Sequence, residues 1–258
     1  MLWMNRPTTF GKPSPIRPRT SEKAVLMGLT HGRNISPSGK TAGSQSPTAE
    51  TQSPVLKAMN DSAEKVIFTP WVGPEYSEKG LNGTKLLVVG ESHHGEEEDL
   101  RSGFTEHVVR SQVYNGRHRF FTIIAKLILG RGAGNHIPQS EREWVWDRVS
   151  FYNYVQSMAG MDPDGDVTDP MWKKAKRLFL DVVEVTSPDA MLVVGKKLGR
   201  HVPTIDEDSS LEGIESLEGI DRLTIDHVSR GFSYDPWMGN VQELAGAAPP
   251  SQKNQPAE

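Results

Sequence analysis

The stretch 85–99, KLLVVGESHHGEEED, decides the fold class predicted for this chain. The apolar run 86–89 ends at Gly90, and a glutamate, a serine and two histidines follow directly. A short apolar run that ends at a glycine is typical of a buried strand. Polar groups that directly follow such a strand are where α/β proteins place their ligand-binding residues, so this stretch predicts both a strand and a site.

Three more segments have the same strand character. They are DRVSFYNYV (147–155), DAMLVVG (189–195) and DRLTIDHVS (221–229), which join 85–90 to make four. Helical patterns lie between and after them, at 104–114, 119–130, 170–186 and 235–245. Alternating strands and helices predict the α/β class, here a three-layer αβα sandwich with a central four-stranded parallel sheet.

Charge and composition divide the chain of 258 residues. The first 60 residues hold eight Lys and Arg against two acids, whereas the other 198 hold 21 basic and 31 acidic residues, a balance of −10. The first segment is also rich in Ser, Thr and Pro and has no long apolar periodicity. We therefore predict a disordered basic tail at 1–60, a folded domain at 61–248 and a disordered C-terminal tail at 249–258.

The same features bear on location. No apolar run reaches the roughly eighteen residues that a membrane span requires. We predict a soluble intracellular protein of the cytoplasm or nucleus. An organelle transit peptide is the alternative for the Ser-rich, acid-poor tail, although its prolines oppose an amphipathic helix.

The chain has no cysteine, which excludes disulfides, a thiol nucleophile and any zinc or iron–sulfur site built on thiolates. His93 and His94 are adjacent, and adjacent histidines rarely face one ion. The stretch DPDGDVTD (162–169) lacks the glycine and glutamate of a calcium loop. No metal and no cofactor is predicted.

Polar residues or glycines lie at or just past all four predicted strand ends. Because the carboxyl ends of parallel strands share one edge of a sheet, we expect these groups to converge on one crevice. The candidates are Gly90, Glu91 and Ser92, then Asn153, then Gly195, Lys196 and Lys197, and finally His227, Ser229 and Arg230.

Four segments in this order resemble the uracil-DNA glycosylase superfamily, in particular its uncharacterised glycosylase-like branch. They are VVGES (88–92), SFYNYV (150–155), PDAMLVVGKKLG (188–199) and DHVSRGFSYDPW (226–237), and the resemblance covers about 84–245. It implies a protein that binds a flipped-out base such as uracil in DNA and hydrolyses its N-glycosidic bond.

The resemblance also implies roles for single residues. Phe104 would stack on the base, Asn153 would read its edge, and His227 would donate a hydrogen bond to the ring oxygen that gains charge. Glu91, Ser92 and His227 are the implied catalytic residues. The implied contacts to the nucleic-acid backbone are Gly90, Gly195, Lys196, Lys197, Ser229 and Arg230.

Departures from the family pattern fall at the catalytic positions. Ser92 stands where active members carry an aspartate or asparagine that orients water, and a serine cannot supply negative charge to a cationic sugar. His93 and Val228 replace prolines. Members with a similar first loop usually hold an iron–sulfur cluster on four cysteines, and this chain has none.

Two alternatives remain open. One is a non-catalytic module that binds a nucleobase, a nucleotide or a protein partner in the same crevice, which the acidic body favours because it repels phosphate. The other is an esterase-like hydrolase with Ser92 as nucleophile, Asp206 or Asp226 as acid and His227 as base. The fifth residue of its strand-to-helix turn is His94 instead of glycine.

Overall fold

A computed structural model describes residues 66–95, 99–158, 167–229 and 231–246. The two predicted tails, the calcium-like stretch up to residue 166, and Arg230 lie outside these ranges. In chain order the strands are β1 (Trp71–Val72), β2 (Leu86–Gly90), β3 (Val149–Asn153), β4 (Ala190–Val194) and β5 (Asp221–Ile225).

Six α-helices accompany the strands in the described residues. They are α1 (Phe104–Val109), α2 (Arg119–Ile128), α3 (Gln139–Trp146), α4 (Asp169–Thr186), α5 (Lys196–Gly199) and α6 (Asp235–Leu244). A π-helical turn, Arg110–Tyr114, continues α1, and a 3-10 turn, Ile214–Leu217, precedes β5.

The predicted α/β class and the four predicted strands are confirmed, but the prediction of a four-stranded, purely parallel sheet is wrong. The sheet has five strands in the order β1-β3-β2-β4-β5, and β1 pairs antiparallel with β3. The other four strands are parallel to one another. A two-residue strand has too short a pattern to be recognised in sequence. Its position is also set by a distant contact, because Trp71 pairs with Phe151, 80 residues away.

The strands are apolar because helices cover the sheet on both sides. Alternate strand residues point to opposite faces. Leu86 and Val88 join a hydrophobic cluster with α2, α3 and α6, and we call this side the first face. Leu87 and Val89 join a cluster with α4, and we call this side the second face.

Strand order places one crevice at the carboxyl edge of the sheet. The chain runs from β2 to β3 on one side of β2 and then returns to β4 on its other side. The order therefore reverses between β2 and β4, and in open α/β sheets ligands bind outside the carboxyl ends of the strands at this point. We call this place the crevice.

Candidate functional site at the carboxyl edge of the sheet

The structure brings predicted residues from all four parallel strands to one edge. Gly90 is the register partner of Asn153 on β3. Gly195 follows β4, and its backbone N–H donates to the carbonyl of Ile225 over 3.0 Å, two residues before His227. With a strand spacing of about 4.8 Å, three spacings separate β3 from β5 by roughly 14 Å. The crevice lies between them.

Asn153 and Gly90 fit together on the first face. A Cβ on Gly90 would overlap Asn153 Oδ1 and lie 3.3 Å from Cε2 of Phe151, a residue of the first-face cluster. The amide of Asn153 therefore occupies the room that a side chain at residue 90 would take. This close approach explains why a glycine ends β2.

The amide of Asn153 has no hydrogen-bond partner among the described residues. Asn153 is only 7% exposed, yet its amide is not among the fully buried unsatisfied groups, which are Tyr152 Oη and Ser216 Oγ. The amide atoms are therefore not fully buried. Buried amides are normally paired, so this one is free to bind a ligand.

Gln156 holds the backbone beneath this amide. Its Nε2 donates to the carbonyl of Asn153 over 3.0 Å, and its Oε1 accepts from the N–H of Phe68 over 2.8 Å. The side chain is buried. Gln156 is not predictable from sequence, because a glutamine three residues after a strand has no distinguishing pattern.

Phe104, the predicted stacking residue, lies inside an aromatic cluster. Its ring centre is 5.9 Å from that of Phe68, 5.0 Å from His93 and 6.4 Å from His107, and its exposed fraction is 6%. Aromatic rings in such contacts stabilise one another. The cluster fixes the segment after β2 against α1.

His93 is a buried, neutral member of this cluster. Its Nε2 lies 3.0 Å from Thr105 Oγ1, and burial lowers the pKa of the imidazole to about 4, with a smaller contribution from the charge of His94. A neutral imidazole is what an apolar aromatic cluster accommodates. His93 therefore supports the loop in which Ser92 lies.

Glu91 is directed away from Asn153. Its Oε1 lies 3.7 Å from Lys197 Nζ, and that ammonium lies 5.7 Å from the ring centre of Trp172, a residue of the second-face cluster. The carboxylate therefore lies towards the second face, whereas the amide of Asn153 lies on the first. The ion pair links the loops after β2 and β4 across the crevice.

Lys196 has a carboxylate partner as well. Its Nζ lies 2.8 Å from Asp226 Oδ1 and 5.7 Å from the ring centre of Trp237. The two lysines predicted to contact phosphate thus each lie beside a carboxylate. A phosphate at this edge would have to compete with Glu91 and Asp226.

His227 lies beside Gly195 at the other end of the crevice. Gly195 has φ of 125°, and a Cβ there would lie 3.9 Å from both Cβ and Cδ2 of His227. The residue is exposed. Two residues later, the carbonyl of Ser229 accepts a hydrogen bond from Nη2 of Arg119 over 3.0 Å, so the start of α2 holds this loop.

The residues of the esterase alternative do not form a hydrogen-bonded triad. Within the described ranges, Ser92 and His227 make no hydrogen bond with each other, and they follow strands separated by β4. Asp226 is paired with Lys196, and Asp206 is exposed.

A groove in the described residues lies elsewhere, along α4. It encloses about 640 Å³ and is lined by Asp169, Trp172, Lys173, Lys176, Arg177, His201, Leu211 and Glu212. Two of its cations are paired, Lys176 with Asp208 and Arg177 with Asp181. Since the lining contains no residue predicted to act on a base, we do not assign the site to this groove.

Residues 66–95, 99–158, 167–229 and 231–246 contain neither a metal-binding cluster nor a membrane-spanning helix. No group of three or more His, Asp or Glu side chains there could hold a metal ion. Within the same ranges, every helix is too short or too polar to cross a membrane.

Comparison with known proteins adds no relative. No model of a protein family matches the chain, and no curated protein matches it. The resemblance to uracil-DNA glycosylases therefore stays a prediction that rests on the motifs, and the argument for function rests on the geometry of the crevice.

Proposed function

We propose that this protein binds a flipped-out nucleobase, of which uracil is the best fit, in the crevice. One observation carries the proposal: the amide of Asn153 is almost buried, has no protein partner in the described part of the chain, and lies against Gly90 at the switch point of the sheet. Pockets that bind small planar ligands typically place one such polar group in apolar surroundings.

The chemistry of the amide selects the base. A primary amide offers one acceptor and one donor side by side. Uracil presents a carbonyl acceptor beside an N–H donor on its edge, whereas cytosine presents an amino donor beside a ring-nitrogen acceptor. The amide of Asn153 therefore selects uracil when it is held in one orientation, with Oδ1 against Gly90, because cytosine would need the amide turned by about 180°. His227 is the proposed second contact, a donor to a carbonyl oxygen of the base from the far side of the crevice.

We propose binding without efficient hydrolysis. Cleaving an N-glycosidic bond requires negative charge near the sugar or an oriented water. Ser92 carries no charge, and the nearest carboxylate in sequence, Glu91, is paired with Lys197 on the second face. The proposed contacts to phosphate by Gly90, Gly195, Ser229 and Arg230 would be needed both for binding alone and for hydrolysis.

The test is the affinity for single-stranded oligonucleotides that carry one uracil or one cytosine at the same position, measured by fluorescence anisotropy. We expect the protein to prefer uracil by about 5-fold to 100-fold, the value of a two-bond contact to a base edge. Asn153→Ala removes the preference. Asn153→Asp, of the same size but without a donor, also removes it. Exposed Asn135→Ala is the matched control and retains it.

Equal affinity for both oligonucleotides, or a preference that survives in Asn153→Ala, contradicts the proposal. A second assay measures release of free base from the same oligonucleotides. We expect no release above background. Release that Glu91→Gln or Ser92→Ala abolishes would instead establish a glycosylase.

A further inference from the structure

Phe104 is poorly placed to stack on a base, because other aromatic rings cover its own ring. Three rings, those of Phe68, His93 and His107, lie within 6.4 Å of its ring centre. A base that stacks on an aromatic ring needs one uncovered face of that ring. Phe104 could offer that face only if the cluster that supports His93 rearranged.

Phe120 lies in the first turn of α2 and is partly exposed. Its ring centre is 5.3 Å from that of Phe121 and 5.6 Å from that of Phe151, and the ring of Phe151 adjoins the space between Gly90 and Asn153. Phe120 therefore packs on the β3 side of the crevice, and one ring, that of Phe151, lies between it and the space beside the unpaired amide.

The preceding residue reaches the opposite side. Arg119 donates from Nη2 to the carbonyl of Ser229, in the loop after β5 that also carries His227. The first turn of α2 thus contacts both ends of an edge that is roughly 14 Å wide. Phe120 packs on the first face against β3 and the side chain of Arg119 reaches the loop after β5, so the first turn of α2 borders the crevice on the face where the amide of Asn153 lies.

We infer that Phe120, and not Phe104, is the aromatic residue on which the bound base stacks. This rests on the proposed function and deepens it by assigning the second wall of the base site. The base lies between the ring of Phe120 and the glycine backbone at residue 90, with its edge against Asn153. Any of the four bases has a π face, so Phe120 supplies affinity and Asn153 supplies the choice of base.

The experiment uses the full chain and the oligonucleotide with one uracil, with affinity measured by anisotropy. Phe120→Ala weakens binding about 5-fold to 100-fold, the range for one stacked base, and leaves the ratio of uracil to cytosine affinity unchanged. Phe120→Trp retains the affinity. Phe104→Leu, which keeps an apolar side chain within the cluster, changes the affinity less than about threefold. Circular dichroism confirms that each variant is folded.

The outcomes separate the two proposals. If the uracil preference depends on Asn153 while Phe120→Ala binds normally, this inference is overturned and the proposed function stands. If Phe104→Leu causes the loss instead, Phe104 is the stacking residue. If neither aromatic variant nor Asn153→Ala has any effect, both proposals fail.

Discussion

Burial of the Asn153 amide destabilises the folded chain, because no hydrogen bond within the described residues offsets its lost hydration. An amide that is fully removed from water without a partner costs about 1–3 kcal/mol, and the partly accessible amide of Asn153 carries a fraction of that cost. In the described residues nothing pairs with it, although Gln156 and Gly90 hold its backbone and side chain in place. The proposed ligand would supply the missing hydrogen bonds. It would explain why the chain keeps an unpaired amide here and why Gln156 and Gly90 hold it in place.

Gly90→Ala tests this fit at the level of one methyl group. The new Cβ would overlap Asn153 Oδ1, so the amide must move. We expect loss of the uracil preference and destabilisation of about 1–3 kcal/mol from overpacking, measured by anisotropy and urea unfolding. Gly134→Ala, where a Cβ has no neighbour within 4 Å, changes neither. An unchanged preference in Gly90→Ala would show that the position of the amide is unimportant.

His93 makes stability depend on pH. Its pKa is about 4 in the folded chain, below the ordinary 6.5 expected after unfolding, because burial disfavours the charged ring. The unfolded chain therefore binds the proton first as pH falls. The contribution is complete above pH 6.5 and is lost progressively towards pH 4, by about 3 kcal/mol.

The check is the free energy of unfolding in urea between pH 4 and 7. His93→Leu flattens the slope between pH 4 and 6.5 relative to the unmodified chain. The same substitution at exposed His136 is the control and leaves the slope unchanged. A His93→Leu variant with the original slope would show that the imidazole is not held neutral.

Elements with strong local patterns were predictable, and those that depend on distant contacts were not. LLVVG and AMLVV are buried on both faces and read as strands directly. Helix α3 was missed because its sequence, QSEREWVW, has only Val145 and Trp146 as buried apolar residues. Its third buried residue is a charged arginine, and the spacing of apolar residues along the chain gives no sign that an arginine is buried.

That arginine, Arg142, ties α3 to the π-helical turn. It is 2% exposed and donates to the carbonyl of Val113 from Nε and Nη2, over 3.1 Å and 2.7 Å, and to that of Gly116 over 2.8 Å. Arg142→Ala leaves these carbonyls without a partner. We expect a loss of about 2–4 kcal/mol in urea unfolding.

The matched control is Arg131→Ala, since Arg131 is exposed and its ion pair with Glu141 is 3.7 Å long. That variant should change stability by less than about 0.5 kcal/mol. Equal effects of the two substitutions would contradict the assignment of Arg142 as a buried tie.

At the scale of the whole molecule, the sequence predicts which residues lie at the edge of the sheet that holds the candidate site. It does not predict the face of the sheet towards which their side chains point. Parallel strands fix which ends meet, and Gly90, Asn153, Gly195 and His227 lie at or just past the strand ends of one edge. The direction of the Glu91 side chain depends on where Lys197 lies, and the burial of the Phe104 ring depends on distant rings. Neither is encoded in the spacing of residues along the chain.

The charge of the chain disfavours strong binding of a phosphate backbone, as the ion pairs at the crevice do. The part of the chain after residue 60 carries −10, and both lysines at the crevice lie beside carboxylates. The proposed affinity for nucleic acid would therefore come from contacts to the base more than from attraction to the phosphate backbone.

The most direct measurement is a crystal structure of the protein with a single-stranded oligonucleotide that contains one uracil. The account predicts the uracil in the crevice, with Oδ1 and Nδ2 of Asn153 each within about 3 Å of its edge. A base bound along the α4 groove, or a base in the crevice with the Asn153 amide still unpaired, would contradict it.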